Sequence, residues 1–287
     1  MIESNPNPIF MNEQWHEILS QVAQLQKESK KKGGLLWYRG QRLAEWTVRS
    51  SLHRRIEDDM RFVGQSWDEK SKIEMMRDVS KTLFYKFKSR AWNLLDMQEK
   101  SDWGIVFSMQ HHGIPTRLLD WTESFACAVY FAQDGRKPDE DAAIFILDPE
   151  ALNKNTFGVE GLVALSGDEG VGNISTHNYH PGYISTVKLL PTIAAAPVHS
   201  NPRMRAQSCA FTLCGDSFES FENLYPDFVK KIILPASVYE DAEIFLDLVG
   251  LKHFGYYPDF EGLKRELVDH MDREIRTAKE IFQDEGN

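Results

Sequence analysis

Between Gln110 and Thr122 (QHHGIPTRLLDWT) the chain places two adjacent histidines, an arginine, an aspartate and two threonines. Imidazole exchanges a proton near neutral pH, a carboxylate serves as a base or steadies a cation, and arginine offers phosphate a fixed fork of donors. His111 and His112 are sequence neighbours and cannot point the same way on a helix, so at most one faces a common site while the other packs or caps. Asp120 is a candidate acid, with a helix-entry cap or an ion pair to Arg117 as its structural alternatives. Cys127, in the apolar run FACAVYFA, reads as core and not as a nucleophile. His177-x-x-His180 has helical metal spacing, but Pro181 follows and no third ligand comes after it, so no metal is expected. Gly-Lys-Ser/Thr, Gly-x-Ser-x-Gly and His-Glu-x-x-His patterns do not occur.

These residues need elements to hold them. Ser101 or Asp102 caps a helix through Gln110 that Gly113 closes, and Gly113-Ile114-Pro115 forces an extended path, because proline disfavours a helical residue before it. Thr116 to Asp120 then reads as a short strand or extended turn, and Thr122 with Glu123 as N-cap and first-turn acid of a helix to about Phe131. The free N–H groups of that helix start would face whatever Arg117, Asp120 and Thr122 surround. Upstream, Asn12 caps a helix over 12–32, and Leu35 to Gly40 is a short buried strand that ends on Arg39 and a glycine. An apolar stripe from Ile73 to Leu94 marks a helix over 69–95. Downstream come a fully buried strand at Ala143–Leu147, a helix opened by Pro149, a glycine-rich irregular region to Tyr183, and strands at Tyr183–Leu190, Cys209–Leu213 and Lys230–Leu234. The Cys209 strand is entered through the unusually polar Arg203 to Ser208. A helix over Tyr239–Leu251 and a charged helix over 260–282 finish the chain. The expected architecture is one α+β domain: a central mixed sheet of about five to seven strands flanked by helices.

Composition narrows the class. At 287 residues, 42% hydrophobic and 26% charged, the chain has material for a sizeable core. A net charge of −10 and a pI near 5.4 disfavour a general nucleic-acid binder, since the one compact basic run, Lys30-Lys31-Lys32, sits at a helix end. Three cysteines without C-x-x-C spacing suggest a reducing compartment. The N-terminus has neither a basic nor an apolar signal region, and no apolar run approaches the ~18 residues of a spanning helix, so a cytoplasmic protein with no membrane partner is expected.

Four separated pieces of the chain resemble the FRG domain family: Tyr38-Arg39-Gly40, the long stretch Gln110 to Thr122, Arg205-Ala206-Gln207-Ser208-x-x-Phe211, and Tyr257-Pro258-Asp259-Phe260-Glu261-Gly262-Leu263. The resemblance implies an FRG domain over 35–268, an N-terminal packing helix within 1–34, and a helix end at 269–287. A more distant similarity, to Arg-type ADP-ribosyltransferases, lies in the aromatic-Arg-Gly strand and the Thr-bearing segment ahead of a helix that ends Tyr-Phe-Ala. It implies a split sheet of the ADP-ribosyltransferase kind and NAD as substrate. Arg39 would hold the diphosphate and Thr116 or Thr122 would occupy the hydroxyl position. At the late acidic position of those enzymes this chain has Gln207, which can hydrogen-bond a ribose but cannot set a negative charge beside an oxocarbenium-like centre. Asp120 is then the strongest local acid. The expected site joins Arg39, His111, Asp120 and Gln207 as catalytic groups to Gln110, Thr116, Arg117, Thr122 and Arg205 as binding groups. The implied activity is ADP-ribosyl transfer or NAD glycohydrolysis, with a bacterial toxin or phage-defence setting. A non-catalytic module for a phosphorylated or nucleotide ligand, and a metal-independent ribonuclease using either histidine with Arg39 and Asp120, stand as alternatives.

Overall fold

The computed structural model of the protein describes residues 11–63, 67–158, 161–165, 176–182, 189–196, 202–250 and 252–284. In chain order the strands are β1 (Trp37–Gln41), β2 (Leu118–Thr122), β3 (Ala142–Leu147), β4 (Val163–Ala164), β5 (Ile193–Ala196), β6 (Cys209–Leu213) and β7 (Val229–Leu234). The helices are α1 (Glu13–Lys31), α2 (Ser51–Val63), α3 (Glu69–Ala91), α4 (Asp102–His111), α5 (Phe125–Gln133), α6 (Pro149–Phe157), α7 (Pro202–Ala206), α8 (Phe221–Leu224), α9 (Tyr239–Leu248), α10 (His253–Tyr256) and α11 (Phe260–Asp284). Among the described residues none of these helices is long and apolar enough to cross a membrane.

The strands form one mixed seven-stranded sheet in the order β4-β5-β6-β2-β1-β3-β7, antiparallel except for the β4/β5 pair. β3 is buried along its whole length, as its unbroken apolar run requires of a strand covered on both faces. On one face, Tyr38, Ile144, Ile146, Ile232 and Leu234 pack with α1, α5 and α9, while Leu118, Phe211 and Leu213 pack with α3 and α4. The opposite face carries Trp37, Leu119, Trp121, Phe145 and Leu147 against α6 and α8.

The join between β1 and β2 is thin. Tyr38↔Thr122 is their single registered pair, whereas β1 pairs with β3, and β2 with β6, over five positions each. The two strands therefore part towards Gln41, and the sheet is nearly divided at its centre.

Several elements depart from expectation. The helix after β2 begins at Phe125, with the Ser124 hydroxyl accepting from the Cys127 N–H, and Thr122 stays in the strand. The reason is local: the Thr122 hydroxyl accepts from the Ser124 N–H and donates to the Gln207 carbonyl, bonds that keep its backbone extended. The polar lead into β6, for which no element was expected, forms α7 and then a turn in which Ser208 takes φ 45°, while β6 itself has the expected bounds. Residues 183–188 of the expected strand at Tyr183–Leu190 lie outside the described residues. α11 does not pack its apolar side on the sheet: Phe260 is 90% exposed, and Leu267, Met271 and Ile275 are exposed too. It meets the body through polar contacts instead, His253 to Asp269 at 3.2 Å and Arg265 to Asp134 at 3.4 Å.

Candidate functional site

Where β1 and β2 part lies a cavity of about 400 Å³, in the size range of small-molecule sites. By strand alternation Arg39 and Asp120 belong to opposite faces of the sheet, but the parting of the strands lets both reach this one space. Arg39 Nη1 donates to the Asp120 carbonyl at 2.6 Å, across the gap where ladder bonds would otherwise run. Its Nε is buried and has no hydrogen-bond partner among the described residues. Burial holds the guanidinium's pKa below its ordinary value; Asp120 works against that shift and Arg54 adds to it.

The next residue fixes the arrangement. A Cβ on Gly40 would stand 1.9 Å from the Ala128 carbonyl oxygen and 2.7 Å from the Ala132 nitrogen, so only glycine lets α5 lie this close to β1. Small residues on α5, Ala128 and Ala132, both fully buried, complete that approach. Cys127 on the same helix is buried, and burial pushes its thiol up to about 12, which removes it as a nucleophile near neutral pH.

α4 delivers Gln110 and His111 from its last turn. The Ser101 hydroxyl caps its start, and its end is closed by Gly113 at φ 72° with the Ile114 N–H bonded to the Met109 carbonyl. Gln110 links three segments: its Nε2 donates to Asp120 Oδ2 at 2.7 Å, and its Oε1 accepts from the Thr116 hydroxyl at 2.6 Å. The Asp120 carboxylate is thereby oriented while remaining exposed in the cavity wall. His111 lines the cavity and His112 is exposed to solvent outside it. Burial, then Arg203 and His112, lower the His111 pKa, so its imidazole is neutral around pH 7.

Of the residues singled out in sequence, Arg39, Gln110, His111, Asp120, Thr122 and Gln207 line the cavity. Gln207 is largely committed to structure: its Nε2 donates to the Tyr256 carbonyl at 3.0 Å and its Oε1 meets Cys209 Sγ at 3.6 Å. Thr116, Arg117 and Arg205 are not among the lining residues. Thr116 is buried behind Gln110, and Arg205 is exposed on α7. Arg117 is buried elsewhere, donating from Nε to the Cys214 carbonyl at 3.0 Å and pairing from Nη2 with Asp216 at 3.2 Å.

Three arginines that sequence reasoning did not assign line the cavity in their place: Arg42, Arg54 and Arg203. With Arg39 they face two carboxylates, Asp120 and Asp134, giving a locally cationic space in a chain of net charge −10. Arg203 sits 4.4 Å over the Tyr257 ring, and the Tyr256 ring stacks on Tyr130 at 4.2 Å. The Tyr257 segment therefore underlies one rim of the cavity. The concentration of arginines from Arg39 to Arg55 was the available sequence signal for two of the three, and Arg203 belongs to the same short helix as Arg205.

Among the described residues no group of three or more His, Cys, Asp or Glu side chains is placed to hold a metal ion. His180 of the His-x-x-His pair instead meets Asp102 at 3.0 Å.

Comparison with curated proteins and with solved structures gives no match. The FRG domain family model matches residues 34–141, a span that includes Tyr38-Arg39-Gly40 and the whole of Gln110 to Thr122 and stops short of Gln207 and Tyr257. The matched residues supply β1, β2, α4 and α5 around the cavity, so it is the part of the chain similar to the FRG domain that builds most of the site.

Proposed function

We propose that the cavity between β1 and β2 binds a nucleotide anion, with NAD as the ligand to test first, and that it cleaves or transfers at the glycosidic bond. The observation that carries this reading is the set of four arginines, Arg39, Arg42, Arg54 and Arg203, around aromatic walls that include Trp46, Phe107 and Phe211. Guanidinium groups suit a diphosphate and aromatic faces suit its bases. The unpartnered, buried Nε of Arg39 fits an additional acceptor such as a phosphate oxygen.

In this reading Arg39 positions the diphosphate. Asp120, steered by Gln110, is the carboxylate available to steady a cationic ribosyl centre or to accept the proton of an attacking hydroxyl. Gln207 supports the wall through Tyr256. A toxin or phage-defence setting rests on the family resemblance alone.

Calorimetry with NAD, together with an assay for released nicotinamide, tests the proposal. Arg39→Ala is expected to abolish binding, and Asp120→Asn to retain binding while losing nicotinamide release. Absence of binding at millimolar NAD would sink the reading. Binding with no release from the wild type would favour a non-catalytic module that recognises nucleotides through the same arginines. The ribonuclease reading needs one histidine with Arg39 and Asp120, and His111 lines the cavity with both; absence of metal-independent ribonuclease activity in clean preparations would sink it.

A further inference from the structure

Trp46 is 42% exposed and lines the cavity, and the Arg42 guanidinium lies 5.1 Å from its ring centroid. Single exposed aromatics are common on protein surfaces, and Trp92 is a local example: it is 44% exposed with Lys100 5.1 Å over its ring, yet it is away from the cavity. Trp46 differs in being braced as well as placed. The Ala44 N–H donates to the Asp141 carbonyl at 2.7 Å, Lys231 Nζ donates to the Ala44 carbonyl at 2.5 Å, and the Trp46 N–H closes a turn onto the Leu43 carbonyl. Just beyond, Val48 is fully buried and its N–H donates to the Glu222 carboxylate. Arg42 itself runs close over Gly135, where a Cβ would come within 3.1 Å of its Nη1. A large aromatic held at the rim of a cationic cavity, with a cation over the ring and Arg54 also in the wall, has the parts of a base-stacking platform.

We infer that Trp46, steadied by Arg42, is the platform on which the adenine of an adenine nucleotide stacks, while the phosphates run along Arg54 and Arg39 towards Asp120. This deepens the nucleotide reading of the cavity and rests on it. A purine is the larger ring system available in such a ligand and makes the larger contact with an indole. The assignment gives the ligand a direction: adenine at the rim, with the glycosidic bond to be cleaved at the Asp120 and His111 end.

The test is calorimetric titration of the full chain with NAD, ADP-ribose and nicotinamide mononucleotide, the last of which lacks adenine. Trp46→Ala is expected to weaken NAD and ADP-ribose by roughly five- to a hundredfold, the range associated with one stacked base. It should leave nicotinamide mononucleotide unaffected. Trp46→Phe should recover most of the affinity, and Trp92→Ala should change none of the three. Unchanged ADP-ribose affinity in Trp46→Ala overturns the platform while leaving the nucleotide cavity intact. So does an equal loss for nicotinamide mononucleotide, which would mean that the substitution disturbs the cavity as a whole. If the wild type binds none of the three at millimolar concentration, the platform and the nucleotide reading fall together.

Discussion

Replacing Gly40 by alanine puts one methyl group into a place where the fold has no room for it. The added Cβ would meet the Ala128 oxygen at 1.9 Å, the Ala132 nitrogen at 2.7 Å and the Ala128 carbonyl carbon at 2.9 Å. All three are backbone atoms of α5, so no side chain can swing aside, and relief requires the helix to withdraw from β1 by about 1.5 Å. Extra methyl groups in cores with yielding side chains cost roughly 1–3 kcal/mol. With a rigid helix and fully buried Ala128, Val129 and Ala132 around the clash, the upper end of that range, about 3 kcal/mol, is expected. For a chain of this size each kcal/mol lowers Tm by about 2–4 °C, so Gly40→Ala should melt about 6–12 °C below wild type in differential scanning calorimetry. Gly33→Ala is the internal comparison: that residue takes a positive φ, 73°, as Gly40 does not, and nothing lies within 4 Å of its Cβ position. Its cost is conformational alone, about 1 kcal/mol. A Gly40→Ala protein that melts within 2 °C of wild type, or no lower than Gly33→Ala, would refute the close-approach account of the Tyr-Arg-Gly strand.

The remaining tests concern buried polar groups outside the cavity lining. Asp216 is fully buried, accepting from Arg77 Nη2 at 2.5 Å and from the Leu190 N–H at 2.7 Å, and faces the buried Arg117 at 3.2 Å. Asp216→Ala leaves Arg117 as an uncompensated buried charge and should cost about 3–5 kcal/mol in urea unfolding; a loss below about 1 kcal/mol would contradict the pairing. His53 is buried with Nδ1 2.7 Å from the Ser50 hydroxyl, and burial, followed by the nearby Arg117 charge, lowers its pKa to about 3. Between that value and the unfolded pKa of about 6.5 the unfolded chain binds a proton that the folded chain does not, so stability falls as pH drops through this window. Over pH 6 to 4 the wild type should lose up to about 1.4 kcal/mol per pH unit more than His53→Gln, and parallel unfolding curves for the two would exclude His53 as the source.

The α+β class, the buried β3 run, the Asn12 and Ser101 caps and the helix starting at Pro149 were readable because each depends on local chemistry. Asp120, Gln110 and His111 could be grouped because one short stretch carries all three. Arg117 could have been separated from them by parity, since residues 117 and 120 of an extended chain point to opposite faces. Its partner Asp216 was not legible, lying 99 residues away and joined to it only by the folded sheet. Arg42, Arg54 and Arg203 were missed for a related reason: each looks like a surface charge, and Arg42 and Arg54 are indeed exposed, until the parting of β1 from β2 makes that surface a cavity wall. The charged helix expected over 260–282 is α11, but its pattern carried no information about which side would meet the body, and the polar side does.

The narrow join between β1 and β2 also gives Arg39 a second occupation. Past Tyr38 and Thr122 the ladder stops, and the Arg39 guanidinium supplies the next tie between the strands by donating to the Asp120 carbonyl. One side chain thus serves as a rung and as the cation of the cavity, and a planar fork with several donors can do both at once. A lysine at this position would keep the charge but has a single ammonium centre to divide between the carbonyl and an anion. Arg39→Lys therefore separates the two occupations: its stability reports on the rung, and its ligand affinity on the fork.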